Sequence, residues 1–141
     1  MLALALSGRA DVVIDDRELR RRGPSYSVDT LSELTAEYPD DSWRLVVGAD
    51  HVATFHDWKD PERLLNLAEA VVVARGAVDL VPPLAGRALL VDDFQHPAVA
   101  THLRTDLAAG RRPPASLLPP AVADHIAAHG LYGWPSREGS P

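Results

Sequence analysis

The 141-residue chain is predicted to fold as an α/β domain around a mainly parallel sheet, from three observations. Apolar runs of strand length alternate with segments whose apolar residues recur at helical spacing, the order that builds βαβ units. One run, Ala70-Val-Val-Val-Ala74, is apolar throughout, as in a parallel strand covered on both faces. Glycine and proline punctuate the joints between these runs. Ligands of such sheets sit beyond the carboxyl ends of the strands, so the residues that follow each run are the first candidates for a site.

The elements follow in order. Met1 to Leu6 is apolar and stops at Ser7-Gly8, the pattern of a last helical turn closed by glycine. Val12-Val13-Ile14 reads as a short buried strand. The charged stretch from Asp15 to Arg22 ends at Gly23-Pro24. Its Arg20-Arg21-Arg22 run is offset by Asp15, Asp16 and Glu18, so a solvated loop is expected. Val28, Leu31, Leu34 and Tyr38 have helical spacing, with Ser27 as N-cap, Asp29 in the first turn and Pro39 as the stop. Trp43 to Val47 is the next strand and runs into Gly48-Ala49-Asp50; a short helical piece is expected over 51–55. Asp60-Pro61-Glu62 opens a helix, aspartate as cap and proline in its first position, which turns Leu64, Leu65 and Ala68 inward. After the strand over 70–74 come a loop over 76–86 with Pro82-Pro83, a strand over 88–91 and a helix over 98–110. A proline-rich connector over 111–118 leads to a helix over 120–129, closed by Gly130 and Leu131. Residues 1–132 are read as a portion of a single domain and 133–141 as a flexible tail.

Composition narrows the function. A balance of 14 Lys+Arg against 20 Asp+Glu, net −6, speaks against nucleic acid as a partner. No run approaches the roughly 20 apolar residues of a membrane span, and the six-residue apolar start is too short and lacks the basic flank of a signal peptide. The absence of cysteine removes disulfides and thiol chemistry. A cytoplasmic location is expected. His125 and His129 share a helix face at a spacing that can bind zinc, but neither the accompanying glutamate nor a third ligand is evident.

Six pieces then occur in one order: Asp16-Arg-Glu-Leu19, Gly23-Pro-Ser-Tyr-Ser-Val-Asp-Thr-Leu31, Gly48-Ala-Asp50, Trp58-Lys59, Val71-Val-Val-Ala-Arg75-Gly76 and His129-Gly-Leu-Tyr132. Together they resemble bacterial nicotinate-nucleotide adenylyltransferase, which joins nicotinate mononucleotide to AMP from ATP, giving deamido-NAD and pyrophosphate. The resemblance runs from Met1 to about Tyr132 and implies a Rossmann-like nucleotidyltransferase fold. It sets Met1 well inside the family's sequence, so the chain is expected to be N-terminally truncated, without the family's first two strands. In the family those strands lie between the ones matching Val12–Ile14 and Leu45–Val47. Their loss is expected to leave sheet edges unpaired, giving an unstable chain, a homo-oligomer through those edges, or direct re-pairing. None of the six histidines forms the family's H-x-G-H signature, which grips the ATP phosphates. The family's I-S-S-x-x-I-R segment falls on Ala98 to Arg104, where Val99 and Ala100 replace the serines, and its R-P-G reads Arg75-Gly76-Ala77.

The resemblance assigns substrate-binding roles to Ser27, Gly48, Asp50, Trp58 and Arg75, and ATP contact to Thr101 and Arg104; it assigns no catalytic residue. Each position has a plainer reading beside it. Ser27 at a helix start suits an anion such as the nicotinate carboxylate, and equally an ordinary N-cap. Gly48 lets a ribose approach the backbone and Asp50 can accept its hydroxyls; alternatively Asp50 caps the next helical turn. Trp58 can stack on a pyridine ring or simply pack. Lys59 is read as solvated. Arg75 suits a phosphate or carboxylate, or a surface ion pair. Mg²⁺ with ATP is the cofactor implied by the family. Two functions stay open: an adenylyltransferase of NAD biosynthesis that is inactive as this chain alone, and a noncatalytic module that binds nicotinate mononucleotide. A sibling nucleotidyltransferase acting on pantetheine phosphate is opposed by the Gly-Pro-Ser-Tyr and Trp-Lys pieces.

Overall fold

A computed structural model of the chain describes residues 1–94 and 99–135. In chain order its elements are α1 (Leu2–Ala5), α2 (Arg17–Arg20), α3 (Ser27–Glu37), β1 (Trp43–Gly48), α4 (Pro61–Leu67), β2 (Ala68–Val73), β3 (Ala88–Val91), α5 (Ala100–Ala108) and α6 (Pro120–Ala128). Short 3-10 turns lie at Ala49–His51, Phe55–Asp57 and Leu131–Gly133. The chain divides into two compact units, Asp15–Gln95 and Met1–Ile14 with His96–Pro141.

The first unit carries the sheet, ordered β1-β2-β3 with every pair parallel, as expected. Register places Val47 beside Val72 and Val72 beside Leu90 on one face, and Val46 beside Val71 and Val71 beside Leu89 on the other. Helices α3 and α4 cover the first face. Val28, Leu31 and Leu64 pack there against Val47, Ala68, Ala70 and Val72, with Val52 and Phe55 from the turns between β1 and α4. The second face departs from the expected two-sided burial: Val46 is 67% exposed, and Leu89 and Val91 are exposed too, because α3 and α4 both pack on the first face. Helix α4 starts as its sequence requires. The Asp60 side chain accepts from the Arg63 amide at 3.2 Å, with Pro61 in the first turn.

Residues 15–25 are more ordered than a solvated loop. Arg17, its side chain only 16% exposed, reaches Asp15, Glu33 and Glu37. Arg21 donates to Glu33 at 2.8 Å and Thr30 at 3.2 Å, while the Thr30 hydroxyl donates to Glu18 at 2.6 Å. Acidic residues on one face of α3 have thereby drawn two arginines of the charged run onto the helix. The expected strand at Val12–Ile14 does not form: the segment is unpaired and Val13 is 90% exposed. A strand exists only where a neighbour takes its amides, and no described strand lies beside this one.

In the second unit, α5 and α6 bury Leu107, Val122 and Ile126, with Leu118, Leu131 and Trp134 packed against them. The expected start of α5 at Ala98 lies outside the described residues, and the helix runs from Ala100. Gly110 (φ 69°) and Gly130 (φ 59°) take the left-handed conformation just past α5 and α6, as the sequence anticipated. Trp134, within the segment read as a tail, is half-buried in this core.

Candidate substrate-binding site

The candidate residues of the first unit fall into two clefts. The larger, about 740 Å³, opens at the carboxyl ends of the three strands. Gly48, Ala49 and Asp50 leave β1, Ala74 and Arg75 leave β2, and Val91 and Phe94 end β3; all line it, with Val46 and Val73 on its floor. Pairing continues past β2 through the Ala74 amide, which donates to the Val91 carbonyl at 2.8 Å. The ends of adjacent parallel strands thus carry Gly48, Asp50 and Arg75 to one opening, as strand-end geometry requires.

Gly48 has an extended backbone (φ −68°), so no unusual conformation demands glycine here. The demand is for space: a Cβ would lie 2.6 Å from Asp50 Oδ1. Asp50 sits inside the 3-10 turn and makes no capping hydrogen bond, so the capping reading fails because the turn starts one residue earlier, at Ala49. Its carboxylate is 81% exposed and lies 3.9 Å from His51 Nε2. Arg75 is exposed at the rim.

The smaller cleft, about 320 Å³, is formed where α3 begins. Ser25, Tyr26 and Ser27 line it together with Asp57, Trp58, Lys59 and Leu64. Ser27 is not the N-cap. Tyr26 holds that position, its carbonyl accepting from the Asp29 and Thr30 amides, and no side chain caps the helix start. The cap moves back one residue because Tyr26 keeps an extended conformation (φ −113°, ψ 139°) and Ser27 already has helical geometry. Uncapped first-turn amides leave the positive end of the helix dipole available to an anion.

Trp58 packs, as the plainer reading has it, and also borders the cleft. Its ring packs on buried Phe55 at 4.9 Å and meets His51 edge-on at 5.9 Å, yet it still lines the cleft. Lys59, read from sequence as solvated, is held: Nζ donates to both Asp29 carboxylate oxygens at 2.9 and 2.8 Å and stands 4.7 Å over the Tyr26 ring. Sequence reading missed Tyr26, Asp57 and Lys59 as cleft residues. Their only signal was adjacency to Ser27 and Trp58.

Thr101 and Arg104 lie on α5, in the other unit. The Thr101 carbonyl accepts from the Thr105 hydroxyl at 3.0 Å, and Arg104 borders a small apolar hollow of about 180 Å³ with Leu103, Leu107 and Ile126. His125 and His129 stack with ring centres 4.1 Å apart, and the His129 Nδ1 lies 2.8 Å from the His125 carbonyl oxygen. Among the described residues no three His, Cys, Asp or Glu side chains converge to hold a metal, and no helix is long and apolar enough to cross a membrane.

No protein-family model matches the chain. Curated proteins do. It is 36% identical over 153 residues to the probable nicotinate-nucleotide adenylyltransferase of Aeromonas salmonicida, covering 94% of this chain and 71% of that protein. The enzyme described likewise from Gloeobacter violaceus is 33% identical over 145 residues, covering 96% and 70%. That of Rhodopirellula baltica is 46% identical over 76 residues, covering 54% and 36%. Among solved structures, Plasmodium falciparum nicotinic acid mononucleotide adenylyltransferase complexed with APC superposes with a TM-score of 0.63 at 15% identity, over 81% of this chain and 61% of that one. That likeness carries the fold, α/β with a Rossmann-like parallel sheet. The identity to the curated relatives, sustained over nearly the whole chain, carries more: the chain belongs to the nicotinate-nucleotide adenylyltransferase family.

Proposed function

We propose that this polypeptide binds nicotinate mononucleotide and, by itself, does not transfer AMP. The observation that carries the reading is the smaller cleft, which an aromatic ring (Trp58) shares with a hydroxyl at an uncapped helix start (Ser27). A pyridine ring lies against Trp58, and its carboxylate meets Ser27 and the first amides of α3. At the strand ends, Gly48 leaves room for the ribose, Asp50 accepts from its hydroxyls, and Arg75 offers charge to the phosphate.

In the reaction that family membership implies, the mononucleotide phosphate attacks the α-phosphorus of ATP, and pyrophosphate leaves. Such transfers depend on positioning and on stabilising charge at the phosphates. The polypeptide supplies positioning for the mononucleotide. Its six histidines include no H-x-G-H, so the stabilisation that this signature gives the ATP phosphates is missing, and Arg104 is left as the cation that the resemblance assigns to ATP. Mg²⁺, the cofactor that the family implies, would neutralise charge on the ATP phosphates; among the described residues no three His, Cys, Asp or Glu side chains converge to hold it.

The test pairs two measurements. Nicotinate mononucleotide is expected to quench the tryptophan fluorescence of the chain saturably, and Trp58→Ala to abolish that quenching although two other tryptophans remain. Pyrophosphate release from ATP, Mg²⁺ and the mononucleotide is expected to stay at background. An undiminished signal in Trp58→Ala, or turnover by the unaided chain, contradicts the reading.

A further inference from the structure

We propose that Lys59 selects the acid form of a pyridine mononucleotide over the amide, exchanging its Asp29 partner for the ligand carboxylate; this rests on the mononucleotide reading above. Among the described residues lining the smaller cleft, Lys59 carries the positive charge. Both groups that hold its ammonium belong to the start of α3: Tyr26 is the residue before the helix, and Asp29 lies in its first turn. The ammonium is therefore held at the start of the helix whose first residue is Ser27.

The pair is half-exposed, with side chains 47% and 36% accessible, so neither member is locked by packing. An entering carboxylate can take the place of Asp29 at Nζ. Asp29 then keeps its favourable position at the positive end of the α3 dipole, which limits the cost of losing its lysine. A carboxamide brings no charge and leaves the Asp29–Lys59 pair intact. Discrimination follows from that asymmetry, and Asp29 tempers it by competing for the same ammonium.

The test measures affinities of the full chain for nicotinate mononucleotide and nicotinamide mononucleotide, with Lys59→Met, Lys59→Arg and Asp29→Asn variants checked for wild-type thermal unfolding. Lys59→Met is expected to weaken the acid ligand about tenfold and the amide less than about twofold, the scale of a solvent-screened charged hydrogen bond. Lys59→Arg restores most of the preference, and Asp29→Asn tightens the acid ligand alone. Equal effects of Lys59→Met on both ligands, no effect on either, or weaker acid binding by Asp29→Asn overturns the proposal. Should neither mononucleotide bind the wild-type chain, the mononucleotide reading itself fails, and that result is seen before any substitution is made.

Discussion

At Gly48 the Asp50 carboxylate occupies the space that a side chain would take. Because the obstructing atom ends a flexible, exposed side chain, Gly48→Ala is expected to leave the melting temperature within about 2 °C of wild type, since surface changes of this kind cost about 0.5 kcal/mol or less. The same methyl turns Asp50 away, so mononucleotide affinity is expected to fall about as far as in Asp50→Ala; titration of both variants checks this. Asp60 is a different case. It is left-handed (φ 49°, ψ 62°) and caps α4, so Asp60→Ala loses the cap and strains the backbone together. The expected cost is about 1–3 kcal/mol in chemical denaturation, with Asp60→Asn nearer wild type because asparagine tolerates that conformation and can cap.

Among the elements, α4 and β2 were the most legible in the sequence. Asp60-Pro61 starts a helix for reasons internal to the chain, and an apolar run as long as Ala70–Ala74 admits few alternatives to a buried strand. Leu64, anticipated to face inward, is fully buried, and Leu64→Ala is expected to cost about 2–5 kcal/mol by denaturant titration. Val12–Ile14 had the composition of a strand, but composition cannot supply a neighbour. Val13→Ser is accordingly expected to change stability by less than about 0.5 kcal/mol, where a buried strand position would lose several times that. Arg21, in the run expected to be a solvated loop, departs from that expectation for the same physical reason: its partners Thr30 and Glu33 on α3 lie 9 and 12 residues away. The cleft at the strand ends was legible, because topology brings Gly48, Asp50 and Arg75 to one opening. At the smaller cleft Ser27 and Trp58 are legible as candidates, while Lys59 reads as solvated, since its holders Asp29 and Tyr26 are about 30 residues distant.

For the whole molecule, the two units carry different responses to pH. In one, desolvation pushes the His125 imidazole below its ordinary value near 6.5, helped by repulsion from His129 and the Met1 ammonium. A base whose folded pKa is depressed is easier to protonate when unfolded, so neutral His125 imposes no penalty on folding above about pH 6.5, and the fold loses stability through this group as pH falls from there. In the other, the Arg17 backbone amide, donating at 2.9 Å, lowers the Asp15 carboxyl, with the Arg17 guanidinium adding to the effect. That contribution is present above about pH 4 and disappears as pH falls through the lowered value. Thermal scans at pH 8, 5.5 and 3 are expected to show a downward shift already at pH 5.5, removed by His125→Gln, and a further shift at pH 3. The proposed function makes the polypeptide a holder of nicotinate mononucleotide that does not grip ATP. Calorimetric titration of the 141-residue chain with nicotinate mononucleotide and, separately, with ATP and Mg²⁺ tests it most directly. Saturable one-to-one heat from the mononucleotide and none from ATP is the expected result; heat from ATP, or silence from the mononucleotide, contradicts it.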